Sequence, residues 1–181
     1  MASSILKLVL VLILVATFQS CDHEPTLQSF YVDNELTQGF TSLDVPISML
    51  KIDEEALTEE QKDAYESIEK LSMIAFVLNE DNKPEYETEL VKVKSILKNP
   101  KYEELMRGGN TTDGTFQINF IGQEDSVDEF VLLGNSKDKG FALIRVLGDD
   151  MNLNKIMTLS TVLSSTDFDS NQLEKFSGFF K

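Results

Sequence analysis

The sequence predicts a single α+β domain, built on a mostly antiparallel, mixed sheet of about six strands with helices packed on one face. The predicted segments follow the order β-α-β-α-β-β-β-β-α, which is typical of α+β folds because the strands cluster in one part of the chain. The chain has 181 residues, the usual size of one domain. Its composition, 41% hydrophobic and 26% charged with 9 Gly and 4 Pro, is typical of a folded domain.

Residues 1–20 are predicted to be a signal peptide. Their only charge is Lys7, and the residues from Leu8 to Phe18 are almost all apolar. A helix that crosses a bilayer needs about 20 apolar residues, whereas a secretory signal needs a shorter apolar region. We therefore expect this segment to direct export and to contribute nothing to the fold.

Cys21 is predicted to be a lipidation site. It is the only cysteine of the chain and follows the signal segment directly, in the string FQSC. This string resembles the lipobox of bacterial lipoproteins, in which cleavage before the cysteine leaves its thiol and its new amino group to be acylated. Phe18 departs from the leucine of the strict consensus. The alternatives are a buried structural cysteine and a signal peptide that is cleaved elsewhere.

Residues 21–41 are predicted to form the lipidated cysteine and a flexible tether, and residues 42–181 the folded domain. The tether segment is mostly polar and shows no sustained period of 2 or 3.6 residues. At about 3.3 to 3.6 Å per extended residue, such a tether could lift the domain on the order of 60 Å from a membrane.

The first half of the folded part is predicted to contain two strands and two helices. A strand and turn are expected in LDVPISMLKI, from Leu43 onward, and a helix over residues 58–70 follows from the capping-box pattern of Thr58 and Gln61. The apolar run 73–78 favours a central strand buried on both faces. A second helix is predicted from Pro84 to Asn99-Pro100, with one apolar stripe. The stripe consists of Tyr86, Leu90, Val93 and Leu97.

The second half is predicted to contain four strands and a third helix. Strands are expected over 102–107 and 116–121, followed by a hairpin in which NSKDK joins VDEFVLLG to GFALIRVLG. Asp150 or Asn152 should cap a helix that runs through Leu163. The tail after Ser164 could form a last short helix that packs back through its apolar residues. These are Leu173, Phe176, Phe179 and Phe180.

Several strings of the chain resemble a known family. They are TSLDVPISMLKI, SIEKLSMIAFVL, YEELMRG and EFVLLGNSKDKGFALIRVLGDDMNLNKIMTLS, which together span about Phe40 to Leu163. They resemble the Bacteroidota lipoproteins known as domain-of-unknown-function family 4252. The resemblance implies a lipid-anchored envelope protein of unknown activity, and it supplies no catalytic residue to transfer.

Two further patterns gain meaning from that resemblance. Asp22 and Glu24, just after the cysteine, resemble the acidic export signal of surface lipoproteins, and both a periplasmic and a surface-facing position stay open. Asp125-Ser126-Val127 matches the short motif on which exported Bacteroidota proteins are O-glycosylated, so Ser126 is a candidate modification site.

Charge and residue counts exclude several classes of function. Sixteen Lys and Arg against 31 Asp and Glu give a net charge of −15, which repels nucleic acid. One Cys and one His cannot form a disulfide framework or a common zinc site. The calcium-loop patterns that begin at Asp150 and Asp167 lack the required Gly and Glu, so we predict no metal and no cofactor.

Few charged residues are left as candidates for chemistry. Asp149 and Asp150 are adjacent and lack a partner for acid-base catalysis, so we expect them to be solvated turn residues. Arg145, in the strand string FALIRVL, is expected to point outward; the alternative is a partly buried partner of an acid.

The function predicted from these observations is a non-enzymatic, lipid-anchored protein of the cell envelope. It would be an outer-membrane lipoprotein that faces either side, held by its lipid, and its domain would bind a protein or another envelope component. One alternative is an envelope component of a sigma-factor-linked signalling system, which neighbouring genes would reveal. The other is a hydrolase that uses acidic residues.

Overall fold

A computed structural model of the chain describes residues 24–49, 52–110 and 112–163. The predictions for the signal peptide, Cys21 and the tail after Ser164 lie outside these residues. The described part contains four α-helices, in chain order α1 (Leu27–Asn34), α2 (Glu59–Glu66), α3 (Lys83–Ile96) and α4 (Leu153–Leu163). Its six strands are β1 (Phe40–Pro46), β2 (Ile68–Val77), β3 (Glu103–Asn110), β4 (Gly114–Gln123), β5 (Ser126–Ser136) and β6 (Gly140–Met151).

The six strands form one open sheet in the order β1-β2-β6-β5-β4-β3. All neighbouring strands are antiparallel, and β3 to β6 follow one another as hairpins. The predicted α+β fold with about six strands is confirmed. Its helices are divided between the two faces of the sheet, where the sequence pattern indicated one face.

The face that carries α1 and α3, called here the α1/α3 face, holds the larger part of the core. Alternate strand residues such as Ile74, Phe76 and Leu143 point toward it, as the period of 2 in a strand requires. The helices add apolar side chains from Leu27, Phe30, Tyr31, Leu90, Val93, Ile96 and Leu97. This packing positions α3 across the sheet and leaves β3 at the open edge.

The opposite face, called the α2/α4 face, has a separate core at one end of the sheet. Tyr65 of α2 and Leu159 of α4 pack there with Phe120, Phe130 and Val127. Lys155 of α4 also forms an ion pair with Asp63 of α2, at 2.7 Å. The two helices therefore cover the strand ends that are farthest from the β5–β6 turn.

The predicted tether is wrong from Leu27 onward, because that residue begins α1. Thr26 caps the helix, since its hydroxyl accepts a hydrogen bond from the backbone N–H of Ser29, and the Ser29 side chain accepts one in return from the N–H of Thr26. Leu27 is 0% exposed within the core of the α1/α3 face. The folded domain therefore begins six residues after Cys21.

Two boundaries near β2 also differ from the prediction. Thr58 caps α2 as expected, but the helix ends at Glu66 and not near residue 70. The next ten residues after Ser67 form β2 because they pair on both sides, with β1 and with β6. β2 lies next to the edge strand, and its last residue, Val77, is 46% exposed, whereas Met73 to Phe76 are buried as predicted.

Candidate functional site

A groove lies on the α1/α3 face between the end of α3 and the edge strand β3; we call it the α3–β3 groove. Its volume is about 640 Å³, which is within the range of small-molecule sites. Tyr86 of α3 contacts Phe76 of β2, Phe141 of β6 and Asn135 of β5, and the groove lies toward β4 and β3, beside the last turn of this helix. The main lining side chains are Lys94, Lys98, Tyr102, Glu104, Arg107, Gln117, Asn119 and Asn135.

The floor of the α3–β3 groove consists mainly of amide side chains. Gln117 Nε2 donates a hydrogen bond to Asn119 Oδ1 at 2.8 Å, and Asn135 Oδ1 accepts one from the hydroxyl of Tyr86. Asn119 is only 1% exposed, and its Oδ1 is the acceptor of the bond from Gln117. A buried polar group usually has a partner. Gln117 and Asn119 partner each other accordingly, and the amides give the floor of the groove a polar surface.

The rim of the α3–β3 groove is basic, although the chain as a whole is acidic. Lys94 lies in the last turn of α3 and Lys98 just after it. Residues 90–102 contain four lysines and no acidic residue. The helix ends at Ile96, where cations are favoured by the partial negative charge of the free carbonyl groups.

Arg107 and Glu104 form an exposed ion pair on the β3 side of the groove. Arg107 Nε donates to Glu104 Oε1 at 2.6 Å, and Nη2 donates to the other carboxylate oxygen. The hydrogen bond from Arg107 holds the pKa of Glu104 below its ordinary value, and the same bond raises the pKa of Arg107. Glu104, the carboxylate among the described lining side chains, is thus paired with Arg107.

The lining of the α3–β3 groove is rich in hydrogen-bond donors and positive charge. Its side chains supply three amides, two lysines, an arginine, the hydroxyls of Tyr102 and Thr115, and the carboxylate of Glu104. Within the described ranges, no three His, Cys, Asp or Glu side chains converge as metal ligands would. The groove therefore fits a polar ligand that carries negative charge.

Residues 35–159 match the model of a family described as Domain of unknown function (DUF4252). The chain belongs to the DUF4252 family. No curated protein matches it. In this DUF4252 chain, α1 precedes the matched residues, and the groove lies wholly within them. No helix in the described part is long and apolar enough to cross a membrane.

Arg145 of the DUF4252 domain does not point outward, so that prediction is wrong. It is 6% exposed on the α1/α3 face, where Nε and Nη2 donate to the two carboxylate oxygens of Glu129 at 2.7 and 2.8 Å. Burial alone would lower the pKa of Arg145, but its hydrogen bonds to Glu129 and the charge of that residue raise it. This pair supports the fold, and the α3–β3 groove does not include it.

A sequence signal for this pair exists in the hairpin. Val131 and Arg145 are register partners, so Glu129, two residues before Val131, faces the same side of the sheet as Arg145. The predicted hairpin left its register open, and without the register the acid could not be assigned to the arginine.

The remaining predicted positions fall on the β5 and β6 ends. Ser126 begins β5, is partly exposed, and donates a hydrogen bond to Asp150 Oδ1 at 2.6 Å; its glycosylation stays a prediction. The backbone N–H of Asp149 donates to Ser67 O. Asn152, rather than Asp150, caps α4, since its Oδ1 accepts from the N–H groups of Asn154 and Lys155.

Proposed function

We propose that this DUF4252 protein is a non-enzymatic, lipid-anchored component of the cell envelope, an outer-membrane lipoprotein of the Bacteroidota type. In this proposal Cys21 carries the lipid, and the domain binds another envelope component through the α3–β3 groove. The observation that carries the binding role is the groove itself, where a basic rim that includes Lys94 and Lys98 lies beside a floor of amide side chains.

The anchor is supported by the string FQSC at the end of an apolar segment. Several acyl chains bind a membrane far more firmly than one, because each buried CH₂ contributes about 0.8 kcal/mol. The net charge of the chain, −15, makes it unsuited to stable membrane binding by charge alone. A lipid is therefore the attachment that best suits this composition.

The first prediction tests the anchor by the change Cys21→Ala. The variant should lose the incorporation of radiolabelled palmitate and should leave the detergent phase, since alanine has no thiol to acylate. Ser20→Ala is the matched control, because it keeps a small residue before the cysteine. Unchanged partitioning and labelling of Cys21→Ala would overturn the anchor.

A further inference from the structure

We propose that a basic corner of the domain faces the membrane and binds the phosphate-bearing headgroups of anionic lipids. The basic corner consists of Lys94, Lys98 and Arg107, which line the α3–β3 groove, and of Lys101, which directly precedes the lining residue Tyr102. Its orientation rests on the proposed function, because it requires the lipid anchor at Cys21.

The chain enters the fold beside this corner. Asn99 Nδ2 donates a hydrogen bond to Glu24 Oε2 at 3.0 Å, which joins the start of the described chain to the end of α3. Cys21 precedes Glu24 by three residues, and three extended residues span at most about 11 Å. An acylated Cys21 would therefore hold Asn99, and its neighbours Lys98 and Lys101, close to the lipid surface.

The charge at the corner is concentrated on the lysine side chains. Lys98 and Lys101 flank Asn99, and Lys101 Nζ lies 4.8 Å from the centre of the Tyr102 ring. Glu104 is paired with Arg107, and the carboxylates of Glu24 and Glu103 are outnumbered by the three lysines Lys94, Lys98 and Lys101. The corner can therefore attract anions although the whole chain carries an excess of acid.

The α3–β3 groove adds hydrogen-bond donors behind the lysines. Asn119 and Gln117 lie on its floor, and Lys94 and Lys98 on its wall. Lysine ammonium groups bind phosphate as point charges, and amide nitrogens can donate to phosphate or glycerol oxygens. The acidic remainder of the surface would be repelled by an anionic membrane, which also favours the orientation with the basic corner inward.

The experiment uses the purified lipidated protein, reconstituted in vesicles of phosphatidylglycerol and phosphatidylcholine or of phosphatidylcholine alone. The chain contains no Trp, so Pro100→Trp places a single fluorophore at the corner. Leu36→Trp, at a residue that is 95% exposed after α1, gives the matched control position. Quenching by lipids with a nitroxide on the headgroup reports contact between the fluorophore and the membrane surface.

The expected result is strong quenching of Pro100→Trp in the anionic vesicles and weak quenching of Leu36→Trp.

A triple variant removes the charge of the corner lysines by Lys94→Gln, Lys98→Gln and Lys101→Gln. It should weaken the contact with the membrane at least about tenfold, because each basic residue near an anionic surface contributes about fivefold to binding. Lys83→Gln, Lys137→Gln and Lys139→Gln remove the same charge from the other end of the sheet and should change little. Equal effects of the two sets, or equal quenching in both kinds of vesicle, would overturn the proposal.

Two additional measurements complete the test. The first asks whether the corner binds free phosphate instead of lipid headgroups, and the second asks whether the protein is anchored at all. Inorganic phosphate should reduce quenching no more than chloride of the same ionic strength; a larger reduction would assign the corner to free phosphate and overturn the headgroup proposal. Flotation of the unmodified protein with vesicles tests the anchor independently. Failure to float would contradict the proposed function, whereas flotation without quenching at the corner would contradict this inference alone.

Discussion

At the scale of single residues, Arg145 and Glu129 form a buried ion pair in the DUF4252 domain. Arg145 Nη1 also donates to Gln28 Oε1 of α1 at 3.0 Å, and the guanidinium carbon lies 5.3 Å from the centre of the Tyr31 ring. Tyr31 donates to the backbone oxygens of Leu143 and Ser72, and burial raises its pKa well above the ordinary value, partly opposed by Arg145. The network therefore joins α1 to the middle of the sheet.

The second prediction concerns the free energy of unfolding of variants in this pair. Glu129→Leu should destabilise the domain by about 3–5 kcal/mol, because it leaves a buried guanidinium without its partner. The double variant Arg145→Met with Glu129→Leu should regain most of that loss, since replacing both charges removes both desolvation penalties. Urea denaturation of the two single variants and the double variant measures the coupling. Additive losses in the double variant would show that the two side chains do not act as a pair.

At the scale of elements, α1 is a helix that the sequence pattern did not predict. Leu27, Phe30, Tyr31 and Asn34 do recur at i, i+3, i+4 and i+7, and Thr26 precedes them as a cap. The helix is only eight residues long and lies among polar residues, so the pattern resembled a tether. Its stability comes from packing on the sheet, a tertiary effect that a short sequence window does not contain.

The third prediction tests whether α1 belongs to the folded domain. Leu27→Ala should lower the free energy of unfolding by about 2–5 kcal/mol, because it creates a cavity where the leucine is fully buried. Val32→Ala, on the exposed side of the same helix, should change it by less than about 0.5 kcal/mol. Equal urea midpoints for the two variants would indicate that α1 does not contribute to the folded core and that the segment is a tether.

Other elements could be predicted because local signals and tertiary packing agree. α3 begins one residue before Pro84 and ends at Ile96, close to the predicted limits, and Leu90, Val93 and Leu97 of its predicted stripe are buried. By contrast, Ile68 and Leu71 fit helical spacing but lie in β2, where pairing with two strands outweighs a pattern of only a few residues. The α3–β3 groove could not be predicted, since it joins residues of α3, β3, β4 and β5 that only the topology brings together.

At the scale of the whole molecule, the shortened connection to Cys21 changes how the domain would sit on a membrane. A tether of residues 22–41 would have let the domain turn freely at a distance, whereas a helix that begins at Leu27 leaves only five residues between α1 and Cys21, the proposed lipidation site. The uneven distribution of charge then becomes relevant, because four lysines and no acidic residue lie in residues 90–102, next to the start of the described chain, although the chain as a whole is acidic.

The last prediction is that the mature chain folds and stays folded without metal. The core is supplied by apolar packing on both faces of the sheet, and no cluster of metal ligands occurs among the described residues. Melting curves in EDTA should therefore match those in millimolar calcium or zinc. A metal that bound the native state specifically would raise the midpoint through linkage, and a rise above about 4 °C would correspond to roughly 1 kcal/mol for a domain of this size. Magnesium at the same concentration controls for general screening of the acidic surface, so a rise with calcium or zinc alone would show that the fold contains a metal site.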